Sequence, residues 1–243
     1  MKVFVIIPAA GLGTRMGAAH GAKNPPRSKQ FLELDGVPII VHTLRKFAAV
    51  PIVDSIWVAM RKQEIEGFAP VLQKAGLGKP MHLVEGGEHR QESVGNALDA
   101  LPAQSDDLVL VHDAVRPFVS EETIADVIEQ AQRYGAAIAG VPAIDTIKRV
   151  ERVAEGAVVE ATIPREHIVQ AQTPQGFRYG LLRPIFDEAR AAGFNGTDEA
   201  SLLERAGHAV HVVMGSARNI KITTPADLEL AEFFVKCAGS VSR

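Results

Sequence analysis

Apolar runs of strand character alternate along this chain with segments of helical spacing, and that alternation restricts the fold more than any other feature. The run KVFVII is β-branched and aromatic and leads straight into the glycine-rich PAAGLGTRMG. This predicts a buried strand ending in a loop whose backbone something approaches closely. PIIVHTLRKFAAV follows with helical spacing at Ile40, Leu44 and Phe47, and DSIWVAM returns to strand character. HRQESVGNALDALP places Val94, Leu98 and Leu101 on one helical face before Pro102 stops it, and DLVLVHDA is the next buried strand. Ser120 can cap a further helix with the inner stripe Ile124, Val127, Ile128 and Ala131, Gly135 can end it, and AAIAGVPA is the strand beyond. Strands joined by helices of this length pair mainly in parallel through right-handed crossovers, in a sheet covered on both faces. The expected fold is doubly wound α/β with a mainly parallel, Rossmann-like sheet. One domain over residues 1–243 accommodates it.

The rhythm breaks between residues 143 and 163. DTIKRVERVAEGAVVEATI holds two alternating segments around AEG, the pattern of a β-hairpin. An arm of about 143–167 has too little core to stand alone, so it docks on its parent or reaches a second subunit, with a plain surface hairpin as the alternative. Beyond it, helices are expected near RYGLLRPIFDEARAAG and TDEASLLERAG, then the strand AVHVVMG. NIKIT reads as a closing strand with Lys221 an exposed strand lysine, and TPADLELAEFFVKC is a helix capped by Thr224, Pro225 and Asp227.

The formal charge of -3 argues against a general nucleic-acid binder, which needs a broad basic surface. Yet Lys2, Arg15, Lys23, Arg27 and Lys29 all precede the first acidic residue, Glu33. A positive field can therefore focus near the first loop, which suits a small polyanion. Cys237 is the one cysteine, and its apolar helical setting suggests a packed thiol in a reducing compartment. No apolar run approaches the roughly 20 residues that span a bilayer, and no leader pattern opens the chain, so the expectation is a cytoplasmic protein without membrane contact.

GLGTRMG is G-x-G-x-x-x-G, one residue late for the dinucleotide fingerprint, and no P-loop lysine follows. What remains is a bare backbone able to present N–H groups to an anion at the carboxyl end of the first strand, where open α/β sheets bind ligands. A tight connection is the alternative for such a turn. Arg15 and Lys29 together can embrace a triphosphate, and Lys23 or Arg27 can share or take the role of Lys29. Asp113, at the end of a central strand in VHDAVRP, can hold a divalent metal or a ribose hydroxyl, and Arg116 a second anion. Their alternatives are a turn aspartate and a surface ion pair. His208 and His211 show no zinc pattern, and no G-x-S-x-G is present.

Taken together, PAAGLGTRMG, SKQF, GGEHRQESV, VHDAVRP, DTIKR, QTPQGF, TDEASLLE and NIKIT resemble, in order and nearly end to end, the 2-C-methyl-D-erythritol 4-phosphate cytidylyltransferases. The resemblance implies transfer of CMP from CTP to a sugar-alcohol phosphate with release of pyrophosphate, assisted by Mg²⁺. By that resemblance Arg15 and Lys29 are catalytic. Ala9, Ala10, Gly11, Gly87, Glu88 and Ser93 surround the cytidine, while Asp113 contacts ribose and the metal-bound nucleotide. Arg116, Thr173 and Lys221 face the acceptor. Thr146 and Arg165 come from the arm of the other subunit of a homodimer. A ribitol 5-phosphate cytidylyltransferase shares the glycine loop and the HDAVRP type of motif, and a non-catalytic nucleotide-binding regulator is the alternative of another class.

Overall fold

The computed structural model describes residues 1–11 and 28–240; Arg15, Lys23 and Arg27 lie outside the described residues. In chain order the elements are β1 (Val3–Pro8), one 3-10 turn at Lys29–Phe31, β2 (Glu33–Leu34), β3 (Val37–Pro38), α1 (Ile39–Ala49), β4 (Ser55–Met60) and α2 (Lys62–Ala75). Then come β5 (Met81–Glu85), α3 (Arg90–Ala100), β6 (Leu108–Val111), α4 (Glu121–Tyr134), β7 (Ala136–Pro142), β8 (Ile147–Val153) and β9 (Gly156–Ile163). A 3-10 turn at Arg165–His167 precedes β10 (Val169–Arg178), α5 (Tyr179–Ala191), α6 (Glu199–Arg205), β11 (His211–Met214) and α7 (Pro225–Ser240).

Seven strands form one sheet in the order β11-β7-β10-β6-β1-β4-β5. All its pairings are parallel except those of β10, which runs antiparallel to both β6 and β7. The chain moves outward from β1 to β4 and β5, then returns to the other side of β1 as β6. That reversal leaves a crevice beyond the carboxyl ends of β1 and β6, the place where open α/β sheets take their ligands.

Alternation along β1 shows why both sheet faces are covered. Val3, Val5 and Ile7 pack with Ile40, Leu44 and Phe47 of α1 and Ile124 and Ile128 of α4. Phe4 and Ile6 join the opposite cluster, with Val94 and Leu98 of α3 and Leu182 and Phe186 of α5. Each such side chain, fully buried, contributes about 1.5–3 kcal/mol relative to exposure, so the sheet is locked between its helices. The predicted inner stripe of α4 is buried throughout, Ser120 Oγ accepts from the Thr123 N–H at its start, and Gly135 closes it at φ 93°. At the start of α7, Asp227 accepts from the backbone N–H groups of Thr223 and Thr224.

Three elements depart from the sequence pattern. β10 contains QTPQGF, whose proline and glycine read as turn chemistry; β6 and β7 supply its ladders, and its register shifts between Ala171 and Gln175. A Cβ at Gly176 would stand 2.8 Å from a methyl of Val127, so the strand needs glycine to lie against α4. α2 carries Gly67 and Pro70, which interrupt its apolar spacing. NIKIT forms no strand. It is a loop because Asn219, 1% exposed, spends its side-chain amide on Gln172 Oε1 and the Thr173 carbonyl, and Ile222 N–H bonds to the Val115 carbonyl. Lys221 is thereby a loop lysine, held over the sheet edge rather than along it.

β8 and β9 pair only with each other, in a separate two-stranded antiparallel sheet turning at Ala154 and Glu155. Val150, Val153, Val158 and Val159 on this hairpin are all exposed.

Candidate active site

The crevice at the reversal holds a cleft of about 170 Å³ whose lining includes Ala9, Ala10, Gly11, Lys29, Gly87, Glu88, Ser93, Asp113 and Lys221. Sequence reasoning placed all nine at a site, and residues from the ends of β1, β5 and β6 meet there. Gln30, His89 and Arg90 also line it.

The floor is tied together by backbone. Ala9 N–H donates to the Ala59 carbonyl at 2.6 Å, its own carbonyl accepts from Gln30 Nε2, and Gly86 N–H bonds to the Met60 carbonyl at 2.8 Å. This brings the loop after β5 against the loop after β1. A Cβ at Gly86 would lie 2.7 Å from that of Ala10, and one at Gly87 would lie 2.3 Å from that of Glu92, so both glycines are required for the close approach. Ser93, 1% exposed, accepts from Gly87 N–H and donates to the His89 carbonyl, both at 3.1 Å. Its hydroxyl therefore shapes the turn between β5 and α3. The Glu92 carboxylate accepts from the N–H groups of Glu88 and His89, favourable at the positive start of α3.

Asp113 is the electrostatic centre. It is 7% exposed and meets three cations: Lys221 Nζ at 3.0 Å and Arg116 Nε at 3.2 Å on Oδ2, and Arg90 Nε at 3.5 Å on Oδ1. Burial opposes its ionisation, but Lys221, Arg90 and Arg116 outweigh burial and hold the carboxyl well below the usual carboxylate range. Its backbone N–H donates to Thr173 Oγ1 at 3.1 Å, which links it to the irregular part of β10. Arg116 also donates to the Asn219 carbonyl at 2.7 Å, fastening the loop that carries Lys221. It is a half-buried strut, not the surface ion pair that was its alternative.

Arg90, like Gln30 and His89, was left out of the site by sequence reasoning. Its guanidinium makes a bidentate pair with Glu199, at 2.7 and 2.9 Å, while reaching Asp113. Burial disfavours its charge, yet Glu199 and Asp113 raise its pKa above the ordinary arginine value. Glu199 is itself 1% exposed at the start of α6, where Asp198 caps and accepts from Gln175 Nε2 at 2.7 Å. The motifs GGEHRQESV, QTPQGF and TDEASLLE are thus joined behind the cleft.

Thr146 and Arg165 are exposed and do not line this cleft. Arg165 donates to the Ile144 carbonyl at 2.6 Å, at the foot of the hairpin. Both Asp113 oxygens already take cations, and among the described residues no group of three His, Cys, Asp or Glu side chains could hold a metal. The carboxylates lining the cleft are those of Glu88 and Asp113, and with so few oxygen donors a divalent ion would need phosphate oxygens of a bound ligand to complete its shell.

The model of the 2-C-methyl-D-erythritol 4-phosphate cytidylyltransferases matches residues 3–237. The chain is 58% identical to the protein of that name from Acidobacterium capsulatum, over 97% of this chain and 98% of that one. It is 51% identical to the corresponding protein of Solibacter usitatus, over 97% and 96%. Among solved structures, the enzyme of that name from Thermus thermophilus superposes with a TM-score of 0.76 at 37% identity, covering 97% of this chain and all of that one. The 4-diphosphocytidyl-2C-methyl-D-erythritol synthase of Anaerococcus prevotii does so at 0.82 and 30% identity, over 97% and 96%.

Proposed function

The chain belongs to the 2-C-methyl-D-erythritol 4-phosphate cytidylyltransferase family, and from that premise we propose how its cleft carries out the reaction. The enzyme transfers CMP from CTP to 2-C-methyl-D-erythritol 4-phosphate, giving 4-diphosphocytidyl-2-C-methyl-D-erythritol and pyrophosphate in the non-mevalonate isoprenoid pathway. An oxygen of the acceptor phosphate forms the new bond to the α-phosphorus of CTP, and the bond to the β-phosphate bridging oxygen breaks. Phosphate monoesters are largely dianionic near neutral pH, so the attacking oxygen needs no protein base. The obstacle is repulsion between two polyanions, which placement and positive charge overcome.

In this reading the turn of Ala9, Ala10 and Gly11 and that of Gly87, Glu88 and Ser93 enclose the cytidine. Arg15 and Lys29 stabilise the transferring and leaving phosphates. Asp113 orients the ribose side, while Lys221, Arg116 and Thr173 hold the acceptor end. The observation that carries this assignment is the buried Asp113 carboxylate ringed by Lys221, Arg116 and Arg90 at the carboxyl edge of the sheet. A Mg²⁺ ion would be held mainly by the phosphates of CTP beside Asp113 and would supply neutralisation of phosphate charge.

The arm of about 143–167 supports a homodimer: its valines are exposed, and Thr146 and Arg165 stand away from the cleft of their own chain. Each would complete the cleft of the partner. Among the described residues no helix is long and apolar enough to cross a membrane; with one cysteine and small phosphorylated substrates this suits the cytoplasm.

Pyrophosphate release measured with CTP and Mg²⁺, and the product mass, test the reading. 2-C-Methyl-D-erythritol 4-phosphate should be the preferred acceptor and CTP the preferred nucleotide over ATP, GTP and UTP. Equal or faster turnover with ribitol 5-phosphate would overturn the acceptor assignment.

A further inference from the structure

Lys29 borders the cleft, and the residues on either side of it are pinned to different parts of the sheet edge. On one side Gln30, 2% exposed, donates to the Ala9 carbonyl. On the other, Ser28, also 2% exposed, is held by two side chains from the junction of β4 and α2. Its Oγ donates to Glu64 Oε1 at 2.6 Å and accepts from Arg61 Nη2. Arg61 and Glu64 pair with each other at 3.1 Å, and the Arg61 carbonyl accepts from Glu64 N–H at 2.8 Å. The Phe31 N–H donates to the Ser28 carbonyl at 2.9 Å and closes the turn that carries Lys29.

This clamp is not built for stability alone. Arg61 Nε and Glu64 Oε2 are buried without a hydrogen-bond partner among the described residues, and an unsatisfied buried polar atom is a cost that an apolar trio would avoid. What the three side chains do provide is a fixed position for one hydroxyl, hence for the backbone one residue before Lys29. Lysine reaches its ligand on a long flexible stem, so its amine is placed only as well as its Cα.

We propose that Arg61 and Glu64 are positioning residues for cytidylyl transfer: they seize Ser28 so that the turn presents Lys29 to the phosphates in the cleft. The proposal rests on the reading of Lys29 as a catalytic cation. The cluster lies outside the cleft lining, so its substitution should act on turnover more than on substrate affinity.

A double-mutant cycle tests it, with kcat, KM for CTP and melting temperature recorded for every variant. Ser28→Ala and Glu64→Ala should each lower kcat roughly tenfold or more with little change in KM, because small misplacements of a charge-stabilising group are costly. Glu64→Gln keeps an oxygen able to accept from Ser28 and should lose less than Glu64→Ala. In a Lys29→Ala background Ser28→Ala should cost nothing further. Equal losses in both backgrounds would mark the cluster as merely structural and overturn the proposal, as would unchanged kcat in Ser28→Ala and Glu64→Ala. If Ser28→Ala fails to fold, the two Glu64 variants carry the same comparison. Full turnover in Lys29→Ala would remove Lys29 from the chemistry and the clamp's purpose with it. Wild-type enzyme inactive with CTP and 2-C-methyl-D-erythritol 4-phosphate would instead sink the functional reading.

Discussion

His112 separates β6 from Asp113 and has no exposed surface. Its Nε2 lies 3.1 Å from the Arg116 carbonyl, so this nitrogen carries the hydrogen and donates, while Nδ1 has no partner among the described residues. Burial, only partly offset by that bond and by Asp113, pushes its pKa down to about 4. The unfolded chain takes up this proton as pH falls through the ordinary histidine value of about 6.5, whereas the folded chain waits until about pH 4. Stability should therefore decline across that window, by about 3 kcal/mol from this residue, and level off below it. Asp113 acts in a later window: its carboxyl is held low in the fold, so its contribution is complete above the unfolded value of about 3.9 and is lost only at more acidic pH. Denaturant titrations from pH 7 to pH 4 should show the decline in wild type and a flatter profile in His112→Gln, whose amide can still donate to the carbonyl. An equal slope in both would exclude His112 as the source. At this scale Asp113 was legible from VHDAVRP because an acid just past a buried strand is a local pattern. Arg90 was not: its role depends on Glu199, 109 residues away, and no local spacing carries such a pairing.

Among the elements, the hairpin β8–β9 was readable because two segments rich in β-branched residues flank the turn sequence AEG, and its glycine, Gly156, takes φ 137° in the structure. β10 was unreadable for the converse reason, since tertiary neighbours on both sides impose a strand on a segment that locally signals a turn. The irregularity that hides it is useful, because Thr173 leaves the ladder there and reaches the Asp113 N–H. The arm's role can be tested as an element. If Arg165 serves the partner's cleft, a chain carrying Arg165→Ala and a chain carrying Arg15→Ala, each nearly inactive alone, will form heterodimers with one intact site. Random mixing in equal amounts should restore roughly a quarter of wild-type activity, since half the dimers are then mixed and each has one working site of two. Activity that stays at the level of the separate variants, with heterodimers demonstrated by mass, would place Arg165 outside the partner's site.

Across the whole molecule two electrostatic effects oppose each other. The net charge of -3 repels CTP at long range, while the cleft presents Lys29, Arg90 and Lys221 against Glu88 and Asp113. The chain's acidic total disguised this in composition, and only the placement of the early lysines and arginines ahead of Glu33 hinted at it. Of those early cations the described residues place Lys29 at the cleft, where the reversal of strand order, which brings the ends of β1, β5 and β6 to one rim, sets it with Arg90 and Lys221. Raising ionic strength from about 0.01 M to about 0.15 M shortens the screening length from about 30 Å to about 8 Å. If the local cations govern capture, kcat/KM for CTP should fall several-fold over this range at fixed Mg²⁺, as steered association does. Saturated turnover should fall much less, since cations within a few ångströms of the bound phosphates are poorly screened. Were the overall negative charge dominant, screening would remove repulsion and kcat/KM would rise. The sign of the salt dependence thus decides whether the cleft or the whole surface is what an approaching nucleotide senses.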